Sequence, residues 1–155
     1  MSTIIIRKIF EELTFFGGIA FYMFLVVVFF VLGKIDSVFK LILGLIFIYL
    51  VTFIIRLFYF KPRPKKIGYK NLLEKIDASS FPSVHAARAV FLCFFIVFLF
   101  NLSWVVDILI GILMILVIYS RIYLLKHDII DAIGGILLGI LSLVVFILAL
   151  FVYPL

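Results

Sequence analysis

The two histidines of this sequence are its strongest candidates for chemistry. His85 follows Pro82-Ser83, and His127 is followed four residues later by Asp131. At that spacing on one helix face the two side chains are neighbours. The carboxylate could then accept the Nδ1 proton of His127 and leave Nε2 free to attack. An ion pair near a helix start, where an aspartate suits the helix dipole, explains the same spacing. The pair alone leaves both interpretations open.

Three arginines, Arg56, Arg63 and Arg121, lie at the edges of apolar segments. A charge at a membrane edge is costly unless it has a function. A guanidinium can donate two parallel hydrogen bonds to phosphoryl oxygens, so three of them at one mouth predict a phosphate cage. The alternative is that they anchor helices to lipid headgroups. Pro82-Ser83 at a helix start adds backbone N–H groups and the positive end of a dipole. With the histidines, this favours phosphoryl transfer through a histidine.

The composition excludes a water-soluble globular fold. Of the 155 residues, 68% are apolar and 14% are charged, whereas a soluble domain has about 25% charged residues. The formal net charge is +6, and the whole excess lies between Arg56 and Arg88. That stretch therefore faces something anionic. We expect an integral membrane protein whose partner is a membrane lipid and not nucleic acid.

Five segments are long and apolar enough to predict transmembrane helices, which need about 20 residues each. They cover residues 13–32, 38–60, 83–100, 102–119 and 129–155. Before them, apolar and charged residues alternate at helical spacing, which predicts an amphipathic helix in the membrane interface. An extension of the first span is the alternative. The predicted fold is an all-α bundle of about five transmembrane helices with an N-terminal interfacial helix, in one domain over 1–155.

The residues singled out above resemble the motifs of the type 2 phosphatidic acid phosphatases, a family related to the vanadium haloperoxidases. Its motifs are a lysine followed by six residues and Arg-Pro, then Pro-Ser-Gly-His, then Ser-Arg, five residues, a histidine, three residues and an aspartate. All three motifs have counterparts here in the same order: Arg56 with Arg63-Pro64, Pro82-Ser83-Val84-His85, and Ser120-Arg121 with His127 and Asp131. The ordered set is far more specific than any single motif.

The resemblance implies a role for each residue. His127 would be the nucleophile that forms a phosphohistidine, oriented by Asp131. His85 would protonate the leaving group and then activate water. The phosphoryl oxygens would be held by the following residues: Arg56, Arg63, Ser83, Val84 and Arg121. No metal or other cofactor is implied, because arginines supply the positive charge.

Two positions depart from the family pattern. Arg56 replaces lysine, which keeps the charge and changes the hydrogen-bond geometry. Val84 replaces glycine, and a β-branched residue does not readily adopt positive φ. The turn must then use negative φ, and the floor of the phosphate site becomes bulkier. We expect this to affect substrate shape more than catalysis.

The predicted function is a membrane-embedded lipid phosphatase that acts on a lipid phosphate or diphosphate. Polyprenyl diphosphate and phosphatidate-type lipids both fit, and the basic surroundings slightly favour the diphosphate. The alternatives are a phosphatase for a soluble phosphoester, a lipid phosphotransferase, and a non-catalytic protein that binds anionic lipids. Haloperoxidase activity is disfavoured because that chemistry belongs to soluble relatives. The oligomeric state is left open.

The two charged loops fall on the same face of a five-span bundle. We expect a multi-pass protein of the cell membrane with its site on that face. Counting Lys and Arg near the spans puts the face in the cytoplasm. The family resemblance puts it on the extracytoplasmic side. The sequence leaves the two orientations open.

Overall fold

The computed structural model describes residues 2–65 and 68–152, and this part of the chain is helical with no strand. Its elements, besides a 3₁₀ turn at Thr14–Gly17, are α1 (Ser2–Leu13), α2 (Ile19–Val31), α3 (Ile35–Phe58), α4 (Leu72–Ala78), α5 (Val84–Phe100), α6 (Trp104–Tyr123) and α7 (Ile129–Val152). The prediction of an all-α fold is confirmed.

Five helices, α2, α3, α5, α6 and α7, overlap the five predicted spans, and two or three spans meet the length and composition for crossing a membrane. By length and composition, α3 and α6 can each cross a membrane. The segment Ile4–Gly17 and α2 pass the same test as one bent span, with 44° between them, while α5 and Ile129–Val145 are apolar but shorter. The first straight span begins at Ile19, later than predicted, because Gly18 before it has extended backbone. The structure thus agrees with a helical membrane bundle.

Helix α1 is amphipathic and separate from α2. Phe10 packs against α6, with ring centroids 5.5 Å from Tyr119 and 4.5 Å from Tyr123. The side chains that α1 leaves exposed include Ile4, Ile5, Ile6 and Ile9. Because the helix bends away from α2, it is not a straight extension of the first span. One face of α1 therefore joins the bundle, and its isoleucines form an outer apolar surface.

Helix α5 lies at the centre of the bundle, and glycines let α7 approach it closely. A Cβ at Gly135 would lie 2.4 Å from the carbonyl oxygen of Ser83. One at Gly139 would lie 2.7 Å from the carbonyl oxygen of Ala87. Only a residue without a side chain permits these distances. This close contact sets the start of α5, with His85, beside the start of α7.

Replacing Gly135 by alanine should lower stability by about 1–3 kcal/mol, because the added methyl group overlaps backbone. The matched control is Gly111→Ala in α6, where a Cβ would meet nothing within 4 Å. Thermal unfolding in detergent measures both. Equal melting temperatures for the two variants would contradict the close α5–α7 contact.

Candidate active site

A cavity of about 540 Å³ lies where the two charged loops meet the bundle. Six of the eight residues predicted for the site line it: Arg56, Arg63, Val84, His85, Arg121 and His127. They come from α3, the loop after it, the start of α5, the end of α6 and the loop before α7. The fold therefore brings together residues that are up to 71 positions apart in sequence. Ser83 and Asp131 are fully buried behind the cavity wall.

Arg63 and Arg121 are each held by one hydrogen bond and keep donors for a ligand. Nη2 of Arg63 donates to the carbonyl of Asp77 at 2.7 Å. Nη1 of Arg121 donates to the hydroxyl of Thr14 at 2.7 Å. The Nε of each arginine is buried, and within residues 2–65 and 68–152 it has no hydrogen-bond partner. Buried charged donors of this kind fit an oxyanion such as phosphate.

Arg56 also holds the backbone around the site. Its guanidinium donates to three carbonyl groups: Phe81 at 3.2 Å, Ile76 at 3.3 Å and Pro82 at 3.0 Å. A guanidinium has five N–H donors, so two remain for the cavity. The sequence predicted that Arg56 binds the phosphoryl group, but it did not predict that Arg56 also holds the backbone. Arg56 fixes the segment that leads into α5.

Ser83 and Val84 form the start of α5. The Ser83 hydroxyl accepts from the N–H of Ala86 at 3.5 Å and caps the helix. The Ser83 N–H donates to the carbonyl of Asp131 at 3.0 Å, which joins α5 to α7. Val84 has helical backbone, as expected for a β-branched residue, and its side chain lines the cavity. The predicted helix start after Pro82-Ser83 is correct.

The spacing predicted that His127 and Asp131 share a helix face, and this prediction is wrong. Helix α7 begins at Ile129, after His127, because Asp128 and Asp131 cap it reciprocally. The Asp131 N–H donates to Oδ1 of Asp128 at 2.9 Å, and the Asp128 N–H donates to Oδ2 of Asp131 at 3.0 Å. The two side chains are nevertheless close. Nδ1 of His127 lies 3.6 Å from Oδ2 of Asp131, slightly beyond hydrogen-bond distance.

Lys61 is a partner of Asp131 that sequence reasoning missed. Its Nζ lies 2.8 Å from Oδ1 of Asp131 and 2.6 Å from Oδ2 of Asp128. Partial burial acts to lower the pKa of Lys61, but its hydrogen bonds to the two carboxylates raise it above the ordinary value. Lys61 lies within the first motif, but no sequence signal connects it with residues some 70 positions away.

Arg88 is a fourth arginine on the cavity wall, and it was not predicted as a site residue. Its Nε donates to the carbonyl of Gly17 at 3.0 Å, and Nη1 donates to the hydroxyl of Tyr49 at 2.8 Å. Its Nη2 lies 3.4 Å from Nδ1 of His85. A guanidinium only donates, so this contact favours a His85 with its proton on Nε2. The sequence signal for Arg88 was its position three residues after His85, which puts the two side chains on one helix face.

The surroundings keep His127 neutral. Burial is the largest cause that lowers its pKa, and the positive charges of Arg121 and Arg63 lower it further. The negative charge of Asp131 acts in the opposite direction and does not offset them. At neutral pH the ring therefore has an unprotonated nitrogen. A histidine nucleophile needs this state.

These features suit a site that binds a phosphoryl group, and comparisons with known proteins identify the family. The family model of the PAP2 superfamily matches residues 37–153, most of the chain, so the chain belongs to that superfamily. The crystal structure of Aquifex aeolicus LpxE is similar in fold, with a TM-score of 0.66 and 23% identity over 90% of this chain and 86% of that one. No curated protein sequence matches significantly. Membership of this superfamily makes the chain a phosphatase in class.

The low pKa of His127 predicts the acid side of the pH–rate profile. If kcat/KM requires neutral His127, activity should persist below the ordinary histidine value of about pH 6.5. It should fall only at more acidic pH, as the ring becomes protonated. Initial rates in detergent between pH 4 and 8, with folding checked at each pH, measure this. An acid limb centred at or above pH 6.5 would contradict the predicted shift.

Proposed function

We propose that this protein hydrolyses a lipid phosphate or diphosphate, of polyprenyl or phosphatidate type, through a phosphohistidine on His127 and without a metal ion. It acts in the cell membrane as a multi-pass protein. The basic surroundings of the cavity favour the diphosphate. Both charged loops, and so the site, lie on one side of the membrane.

One observation carries this proposal: both histidines and the three motif arginines line the same cavity. Arg63 and Arg121 each have a buried N–H donor that binds none of the described residues and is available to a ligand. An anion in that position would be surrounded by fixed positive charge in a water-poor site. Such preorganised charge stabilises the additional negative charge of a phosphoryl-transfer transition state.

Apolar side chains on the cavity wall support a lipid substrate. Phe53 and Leu73 line the cavity, and they are 44% and 72% exposed. The cavity wall is thus continuous with the apolar outer surface at α3 and α4. A lipid could place its phosphate among the arginines while its chain stays in the bilayer. A soluble phosphoester would not need this apolar side.

The reaction would take place in two steps. First, Nε2 of His127 attacks phosphorus, and the bond from phosphorus to the leaving oxygen breaks while the imidazolium form of His85 gives that oxygen a proton and becomes neutral. Then His85 takes a proton from water, and the water oxygen attacks the phosphohistidine. The bond between phosphorus and Nε2 breaks, and inorganic phosphate leaves. Asp131, 3.6 Å from Nδ1, would stabilise the positively charged ring of the intermediate.

His127→Ala should lower phosphate release by roughly 10³-fold or more, because the nucleophile is lost. Purified protein in detergent would be given phosphatidate, a polyprenyl diphosphate and the soluble p-nitrophenyl phosphate. We expect the wild type to prefer a lipid, and we expect EDTA to leave its rate unchanged. Turnover of the soluble ester alone would favour the soluble-substrate alternative. Binding without turnover would favour a non-catalytic lipid binder, and full activity of His127→Ala would exclude the phosphohistidine.

Arg121→Lys should lower kcat/KM by about 10²-fold, because a lysine cannot supply several directed donors to one phosphoryl group. Arg7→Lys is the matched control, since Arg7 is exposed on α1 and pairs with Glu11. Phosphate release by both variants, with melting temperatures, measures the effect. Equal rates for the two variants would reduce Arg121 to a structural residue.

A further inference from the structure

We propose that Thr14 is a positioning residue for Arg121, and that the 3₁₀ turn Thr14–Gly17 is part of the phosphate site. The hydroxyl of Thr14 would hold the guanidinium in the orientation from which its remaining donors reach the phosphoryl group. This inference rests on the proposed function of the cavity. It extends the site to a segment that none of the three motifs includes.

The first observation is the hydrogen bond itself. Nη1 of Arg121 donates to Oγ1 of Thr14 at 2.7 Å, across 107 residues of sequence. Arg121 is 4% exposed, so this nitrogen has little access to bulk water. Without an acceptor at Thr14, a buried donor would lose its partner or the side chain would turn away. The bond therefore selects one orientation of a long and flexible side chain.

The second observation is that the same turn holds another arginine of the cavity. Nε of Arg88 donates to the carbonyl of Gly17 at 3.0 Å. Gly17 is buried, and a Cβ there would lie 2.7 Å from Cγ1 of Val117 and 3.1 Å from the carbonyl oxygen of His85. The turn is thus packed directly between α5 and α6. It meets both helices at the ends that carry site residues.

The chemistry of the acceptor matters. A carboxylate in place of the hydroxyl would orient Arg121 equally well, but it would also neutralise the charge and weaken the attraction for phosphate. A hydroxyl accepts the hydrogen bond and leaves the positive charge available. Thr14 therefore suits a residue that must fix an arginine without competing with the substrate.

The turn also lies outside the part of the chain that the family model matches, which begins at residue 37. It is held in place by α1, where Phe10 packs against Tyr119 and Tyr123 of α6. Tyr119 and Tyr123 flank Arg121 in sequence. The N-terminal segment thus packs along the end of α6 that carries Arg121.

The test compares two substitutions of Thr14 in the full-length protein. Thr14→Val removes the acceptor and keeps the shape, and it should lower kcat/KM by roughly tenfold, the size expected for a hydrogen bond to a charged group. Affinity for vanadate should fall similarly, since vanadate mimics the five-coordinate phosphorus. Thr14→Ser keeps the hydroxyl, so its kcat/KM and its affinity for vanadate should be restored to the wild-type values. Ser142→Ala removes a buried hydroxyl that has no partner among the described residues, and it should change neither.

A double-mutant cycle separates positioning from packing. In an Arg121→Lys background, Thr14→Val should have little further effect, because the Nη1 donor is already gone. Additive losses, a Thr14→Val enzyme with wild-type constants, or failure of Thr14→Ser to restore them would each overturn the inference. If Thr14→Val does not fold, Thr14→Ala replaces it in the same comparisons.

Vanadate binding, followed by the thermal shift of the detergent-solubilised protein, keeps this inference distinct from the proposed function. A wild type that binds vanadate but releases no phosphate from any lipid would remove the proposed function. The vanadate affinities of the Thr14 variants would then still decide the inference. A wild type that neither binds vanadate nor releases phosphate would overturn both.

Discussion

The concentration of positive charge around one cavity is the constraint on which the rest of the site depends. Four arginines line it, and their charges repel one another. Their hydrogen bonds orient the guanidinium groups without neutralising them, because the acceptors are uncharged: backbone carbonyls, the hydroxyls of Tyr49 and Thr14, and Nδ1 of His85. The nearby carboxylates of Asp128 and Asp131 are bonded to Lys61 instead. Asp77 also lines the cavity, but four arginines and Lys126 outweigh its charge, so the cavity remains positive and suited to a phosphoryl group.

Such charges stay in place only if the surrounding backbone is rigid. The three motif segments are connected by backbone hydrogen bonds, from Ser80 to Lys61 at 2.8 Å, from Lys65 to Leu125 at 3.1 Å, and from Ser83 to Asp131 at 3.0 Å. The glycines of α7 bring that helix against α5, so the last of these bonds joins two tightly packed helix ends. The site is therefore a property of the loop framework as much as of its side chains.

The same positive surroundings govern the histidine that attacks phosphorus in the proposed mechanism. Burial and the neighbouring arginines lower the pKa of His127, so the ring is neutral and nucleophilic at neutral pH. In the proposed phosphohistidine, the nearby carboxylate of Asp131 would be the group placed to balance the new positive charge. Lys61 binds the other oxygen of that carboxylate. In the free enzyme, its positive charge therefore offsets part of the negative charge that Asp131 presents to His127. One network thus serves both states of the ring.

The sequence by itself determined the helical membrane class, the approximate spans and the family motifs, because these depend on local hydropathy and on short spacings. It identified His85, His127 and the three motif arginines, whose residue types suit phosphoryl chemistry. Only the tertiary structure decided that α7 begins after His127, that Arg56 binds three carbonyls, that Lys61 binds Asp131, that Arg88 lines the cavity, and that Arg121 donates to Thr14. The start of α7 is decided by the reciprocal cap of Asp128 and Asp131, which begins the helix after His127. The contacts of Arg56, Lys61 and Thr14 join distant segments, and no local pattern encodes them, whereas Arg88 lies only three residues from His85.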